Sequence, residues 1–426
     1  MKKTVMLAYG RTGLYVDFPA DCTTVLEPSF VAGLPDQKGA IEKAIQDPLD
    51  THPLSTLVNA SQTVAISVCD LTRPIPTSTI LPVILSALKH VPKHQITILI
   101  ATGTHRANNT AELQEMLGNE IVENYSIENH DAFDQSTLKH IGEITPRIPI
   151  FLNRTWVDAD IRITLGFVEP HFFAGFSGGP KMVAPGLAGF PTIMRLHDFK
   201  MISDPNARWG ITDGNPIHSA IREIAKRCRV DFSVDVAINK NREITRVCGG
   251  ELFSVHQLMC ESVKNSAMQA FSKPFDVVVT TNSGYPLDQN LYQTVKGLSA
   301  AAQVVKEGGV ILCASECADG LPDHGEYGKL LRKRNSPRDL LKMISDPAHN
   351  RHDQWEVQLQ AQIQTRADVF LKTDGLSDEE VRSAHITPIS DIGQAVEDHL
   401  HRCGSDARLC VLPEGPQTIP YLTEMS

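Results

Sequence analysis

The sequence predicts an α/β protein of two lobes, each a mostly parallel sheet flanked by helices, with the active site in the cleft between them. Three observations predict it. Short apolar runs rich in β-branched residues alternate with helical patterns along most of the 426 residues. That length exceeds what one hydrophobic core ordinarily serves, so the chain divides. Polar clusters follow the strand-like runs, where ligands sit in open α/β sheets: beyond the carboxyl ends of the strands.

In order along the chain, TVAISVCD (63–70) reads as a strand, TSTILPVILSALKH as a helix and QITILIATG (95–103) as a strand ending near Ala101. NNTAELQEMLG reads as a helix, with Asn109 and Glu112 spaced for reciprocal capping. Further strands are expected at ADIRITLGF (159–167), VDFSVDVAI (230–238) and EITRVCG (243–249). A helix from about Leu252 to Ala270 precedes FSKPFDVVVTTNSG, whose strand begins after Lys273-Pro274. The boundary falls there, giving an N-terminal domain of residues 1–270 and a C-terminal domain of residues 271–426 that closes over the site. In the latter, Gln289 to Lys306 reads as helical, GGVILCAS and RADVFLK as strands, and the stretches near Trp355 and over DIGQAVEDHLHRC as helices.

Composition narrows the class of partner. With 42% hydrophobic and 21% charged residues the chain is an ordinary folded protein. A net charge of -10, with no Lys/Arg stripe, argues against nucleic acid and anionic membranes and for a small-molecule partner. No segment approaches the roughly 18 apolar residues of a membrane span, and the apolar run after Met1 is short for a signal peptide. Nine scattered cysteines do not suggest a disulfide framework, so a reduced, cytoplasmic protein is expected.

The candidate chemistry sits in five stretches. In DLTRP, Asp70 and Arg73 offer a carboxylate and a guanidinium on one loop, the latter suited to capturing a carboxylate or phosphate. An exposed ion pair is the plain alternative. His105 in GTHR follows a strand and suits general base work, although most loop histidines are structural or solvated. The stretch EPHFFAGFSGGPKMVAPG (169–186) combines His171, glycines and Lys181. It lacks the Gly-Lys-Ser/Thr end of a phosphate loop, because Pro180 precedes Lys181 and Met182 follows it. Around Ser177 it matches G-x-S-x-G, the nucleophile elbow, without the immediate strand-to-helix turn. Gly178 and Gly179 leave little bulk beside Lys181, which suits a lysine tied to a planar cofactor. After it, Pro191 opens a helix with Ile193, Leu196 and Met201 on one stripe, and His197 lies beside that stripe as a packed imidazole or a metal ligand. Tyr292, Gln293 and Lys296 stand at a helix start, Gln293 and Lys296 on one face, where an anion could bind or water solvate them.

Together DLTRP, GTHR, EPHFFAGFSGGPK, RLHD and YQTVKG, in this order and spacing, resemble the nickel-pincer-nucleotide-dependent lactate racemases and their 2-hydroxyacid racemase and epimerase relatives. EPHFFAGFSGGPK is the specific part. The resemblance implies a pyridinium-3-thioamide-5-thiocarboxylate mononucleotide whose nickel is held by one ring carbon and two sulfurs, made by dedicated biosynthesis proteins. It implies Lys181 as the covalent thioamide attachment, Gly178 and Gly179 as clearance for the flat ring, and His197 as the protein ligand to nickel. His105 and His171 would be the two bases, each removing the hydroxyl proton of one enantiomer while the C2 hydride moves to the cofactor. Arg73, Lys296, Gln293 and Tyr292 would contact the substrate, Asp70 the ribose hydroxyls, and Trp355 would pack on the cofactor. Two other functions are compatible with the residues alone. One is a metal-dependent or serine hydrolase using His105, His171, His197 or Ser177; the other is a two-lobed carboxylate-binding protein closing through Arg73 and Lys296.

Overall fold

The computed structural model describes residues 1–144, 147–322 and 325–423. The chain forms two compact units, and neither is a continuous segment. One comprises Phe30–His197 and Asp204–Ser266; the other comprises Met1–Ser29, Asp198–Ser203 and Ala267–Ser426. A single cut at residue 270 therefore separates the first 29 residues from the unit in which they pack.

The first unit is built on a six-stranded sheet, in the order Ile244–Gly250, Phe232–Ile238, Ile161–Phe167, Val64–Cys69, Ile96–Ala101, Ser126–Asn129. Every neighbouring pair is parallel except Ile244–Gly250 against Phe232–Ile238. The central strands are mostly apolar because both faces are covered. All six residues of Val64–Cys69 are buried, and so are the last five of Ile161–Phe167. Beneath them Ile66, Ile84, Ile98, Ile163 and Val234 form one core with no exposed surface. Helix Thr77–Ala87 follows the first strand, and Thr110–Leu117 carries the expected reciprocal cap between Asn109 and Glu112. This is the doubly wound order, with its reversal between Val64–Cys69 and Ile161–Phe167, where Val68 pairs with Leu165. At such a reversal the connections leave in opposite directions and a crevice opens beyond the strand ends.

The second unit has a six-stranded sheet of order Thr387–Pro388, Asp368–Lys372, Val305–Ala314, Phe275–Thr281, Leu409–Leu412, Thr23–Val25, parallel throughout. Two helices stop earlier than their sequence suggests. Leu252–Ala267 ends before Met268–Phe271, which instead pairs in parallel with Ile419–Leu422 near the end of the chain. Leu291–Ala301, capped by Asn290, ends short of Lys306, which lies in the strand Val305–Ala314. The apolar stripe expected from Ile193 to Met201 is likewise divided between helix Phe190–Leu196 and helix Phe199–Ser203, with His197 at the break.

Leu165 is fully buried mid-strand beside the reversal. Leu165→Ala is expected to cost about 2–5 kcal/mol in urea unfolding. A loss below about 1 kcal/mol would contradict this account of the core.

Candidate active site

The reversal point assembles Asp70, Arg73, His105 and Glu169 from loops that follow three different strands. Asp70 follows Val64–Cys69 and is 6% exposed. Its Oδ2 lies 2.7 Å from Nδ1 of His105, which stands beyond Ile96–Ala101, and Thr72 Oγ1 donates to its Oδ1 at 2.7 Å. Burial pushes Asp70 upward, but the hydrogen bond and charge of His105, the Thr72 hydroxyl and the charge of Arg73 outweigh it and hold the carboxyl below its ordinary value. In the neutral ring, the proton shared with Asp70 sits on His105 Nδ1, and Nε2 is then the acceptor. Asp70 thus stands as the orienting partner of His105. Arg73 lies 3.9 Å from Glu169, a loose, half-exposed contact that an incoming anion could replace.

From Phe167 the chain leaves the sheet, pairs Pro170–His171 with Gly175–Phe176, and returns as a one-turn 3₁₀ helix, Gly179–Met182. Pro180 is buried at the start of that turn, where its fixed φ suits a helix opening, and its carbonyl accepts from Val183 and Ala184. Buried groups hold the loop throughout. Ser177 Oγ donates to the Phe167 carbonyl at 2.7 Å and accepts from the Glu169 amide at 2.9 Å. Asn215 Nδ2 donates to Phe173 O at 2.8 Å, and His256 Nε2 to Ser177 O at 2.9 Å. Ser177 is only 5% exposed and its hydroxyl is spent on this closure, which removes it as a hydrolase nucleophile. The glycines also differ from expectation. A Cβ at Gly178 would lie 2.6 Å from Val168, and one at Gly179 would lie 2.5 Å from the His256 ring. The clearance assigned to a flat ligand is filled, on the Cβ side, by the protein itself.

His171 Nδ1 accepts from the amides of Phe173 and Ala174, both at 3.2 Å, and its ring stacks on Phe172 at 4.7 Å. Those two donors place the proton of the neutral ring on Nε2. His197 caps helix Phe190–Leu196 and donates Nδ1–H to the Ile193 carbonyl at 2.9 Å. Burial, with the charge of Lys181, lowers it to about 4 against the raising effect of that carbonyl. A neutral imidazole fixed at Nδ1 by a backbone carbonyl is how metal-ligating histidines are ordinarily held. Among the described residues no group of three or more His, Cys, Asp or Glu side chains could hold a metal ion. The histidines of the metallohydrolase alternative are therefore not gathered into one. One neutral imidazole and one lysine on a fixed turn instead suit a metal whose other ligands arrive with a tethered cofactor.

In the second unit, Asn290 accepts from the Gln293 amide at 3.1 Å, and Lys296 Nζ donates to Gln293 Oε1 at 2.7 Å. Trp355, 7% exposed, donates Nε1–H to the Tyr292 hydroxyl at 3.2 Å. Beside Trp355 in sequence stands Glu356, 1% exposed, which burial pushes well above the usual carboxyl range while Lys296 pulls it down and Asp353 pushes it up. The predicted residues of this unit thus share a polar patch, and Glu356 is a member that sequence reasoning missed. It also missed Asp235, His218 and His256 of the first unit, all buried. Asp235 was visible as the one charge in the apolar run FSVDVAI.

Family models match most of the chain: a lactate racemase N-terminal domain over residues 9–210 and a lactate racemase C-terminal domain over residues 270–419. A lactate racemase of Thermoanaerobacterium thermosaccharolyticum is 33% identical over 421 residues, spanning 97% of this chain and 98% of the relative. One from Lactiplantibacillus plantarum is 34% identical over 382 residues, spanning 89% and 90%. The lactate racemase apoprotein structure from T. thermosaccharolyticum superposes with a TM-score of 0.90 at 32% identity, covering 98% of this chain and all of that one. A Thermotoga maritima protein shares the fold, with a TM-score of 0.66 at 18% identity.

Burial lowers His256 to about 3. Between that value and the unfolded one near 6.5 the unfolded chain holds a proton that the folded ring refuses, so this site loses stability as pH falls. His256→Gln keeps a donor without that penalty. Relative to the unsubstituted protein it is expected to gain in urea midpoint between pH 7 and 4.5; a gap independent of pH refutes the assignment.

Proposed function

The chain belongs to the lactate racemase family and is a racemase, and on that premise we propose that it inverts C2 of lactate or a related 2-hydroxy acid, using a nickel-pincer nucleotide joined to Lys181. The observation that carries this reading is the His105 ring, held at Nδ1 by buried Asp70 with Nε2 left to accept. Lys181 is the point of attachment and His197 Nε2 the protein ligand to the metal. When bound, the cofactor supplies an acceptor from which the C2 hydride can return to either face.

The chain's own residues then bind, orient and move protons. Arg73 exchanges its loose contact with Glu169 for the substrate carboxylate. Lys296, with Gln293 and Tyr292, contributes further to substrate contact, and Trp355 to packing on the cofactor. His105 takes the hydroxyl proton of one enantiomer on Nε2, and Asp70 balances the charge that develops on the ring. His171 serves the other enantiomer. Its resting state is the complement of His105, because Nδ1 accepts two amides and the proton lies on Nε2. To take a proton on Nε2 it must carry one on Nδ1, and so must give up the amides of Phe173 and Ala174.

Protein from cells able to make the cofactor is expected to show a modified Lys181 peptide by mass spectrometry and about one nickel per chain. An unmodified lysine without nickel would sink the cofactor reading. Substrate deuterated at C2 is expected to keep its label on inversion in ordinary water, and His105→Ala and His171→Ala each to lower kcat by about 10²–10⁴-fold. Label washed out, or turnover intact in both variants, contradicts the mechanism.

A further inference from the structure

Asp235 lies mid-strand in Phe232–Ile238, wholly buried. Its Oδ1 accepts from the Gly179 amide at 3.1 Å, and Oδ2 has no hydrogen-bond partner. Burial pushes the carboxyl up to about 7, against the Gly179 amide, which lowers it. A buried carboxyl with so little compensation is costly to keep, and an apolar residue of similar size would not carry that cost.

The neighbouring strand makes room for this contact. A Cβ at Gly166 would stand 2.0 Å from Asp235 Oδ1 and 3.0 Å from the Gly179 nitrogen, so only glycine there lets the carboxyl reach the loop. Gly179 itself has φ +45 and is closed in by the His256 ring. It opens the turn Gly179–Met182 that carries Lys181, and its amide has no partner within that turn. Asp235 supplies the missing acceptor from the sheet, on the side where the Gly166 hydrogen leaves space.

We propose that Asp235 is a positioning residue for the anchor: by holding the Gly179 amide it fixes the turn that presents Lys181, and attachment of the cofactor to that lysine depends on it. The proposal rests on the reading of Lys181 as the attachment point. It assigns Asp235 no contact with substrate or cofactor.

Two readouts separate this role from a structural one. In Asp235→Leu, amide exchange over residues 178–182 of the cofactor-free protein is expected to rise at least 10-fold with the rest of its unit unchanged. The fraction of Lys181 modified, in protein from cofactor-making cells, is expected to fall at least 10-fold. Asp235→Asn, which keeps an acceptor oxygen, should retain both within about 2-fold. Should the leucine variant not fold, Asp235→Ala removes the same acceptor and reads out in the same way. Unchanged exchange, unchanged loading, or equal loss of loading in Asp235→Asn overturns the proposal. An unmodified Lys181 in the unsubstituted protein overturns the attachment reading instead, and the exchange measurement then decides the positional claim.

Discussion

The backbone between Phe167 and Met182 leaves a buried parallel strand, turns twice and returns against the sheet, and the polar groups of its buried stretch, residues 173–180, must be satisfied without water. The rest of the site depends on how that is done. Ser177 closes the hairpin onto Phe167, His256 holds the Ser177 carbonyl, Asn215 holds Phe173, and Asp235 takes the Gly179 amide. Each partner comes from a different part of the unit, so the loop has one shape set by the sheet and its flanking helices. His171 and Lys181 inherit that shape, and preorganisation of this kind is what lets a functional group act without first being ordered.

The parallel core was legible in the sequence because strands buried on both faces are mostly apolar, as VAISVC and IRITLGF are. The doubly wound order placed DLTRP, GTHR and EPH beyond strand ends, and the motifs at the reversal carried the family resemblance. What composition and spacing could not supply was partnership. Asp70 and His105 lie 35 positions apart, and nothing in either motif shows that one orients the other. The glycines of the anchor loop advertised space but not its occupant; on the Cβ side the occupants are Val168 and His256.

Local pattern failed where pairing was settled far away. MQAF continues the helical pattern of Leu252–Ala267, yet it forms a strand because Ile419–Leu422 offers it a parallel edge. The same holds for Thr23–Val25, three residues of unremarkable sequence that pair with Leu409–Leu412 and complete the second sheet. Pro180, which breaks the phosphate-loop pattern beside Lys181, has its reason in the turn around it, since it opens a helix and spares an amide.

The pairing of Thr23–Val25 with Leu409–Leu412 has a consequence for how the molecule comes into being. On the ribosome the first of these strands is made long before its partner, with the whole of the other unit's sequence between them. The unit formed by Phe30–His197 and Asp204–Ser266 has all its strands in hand well before Leu409–Leu412 is made. The other unit holds its outer strand unpaired until Leu409–Leu412 is made, and completes its sheet only after the intervening unit has been synthesised.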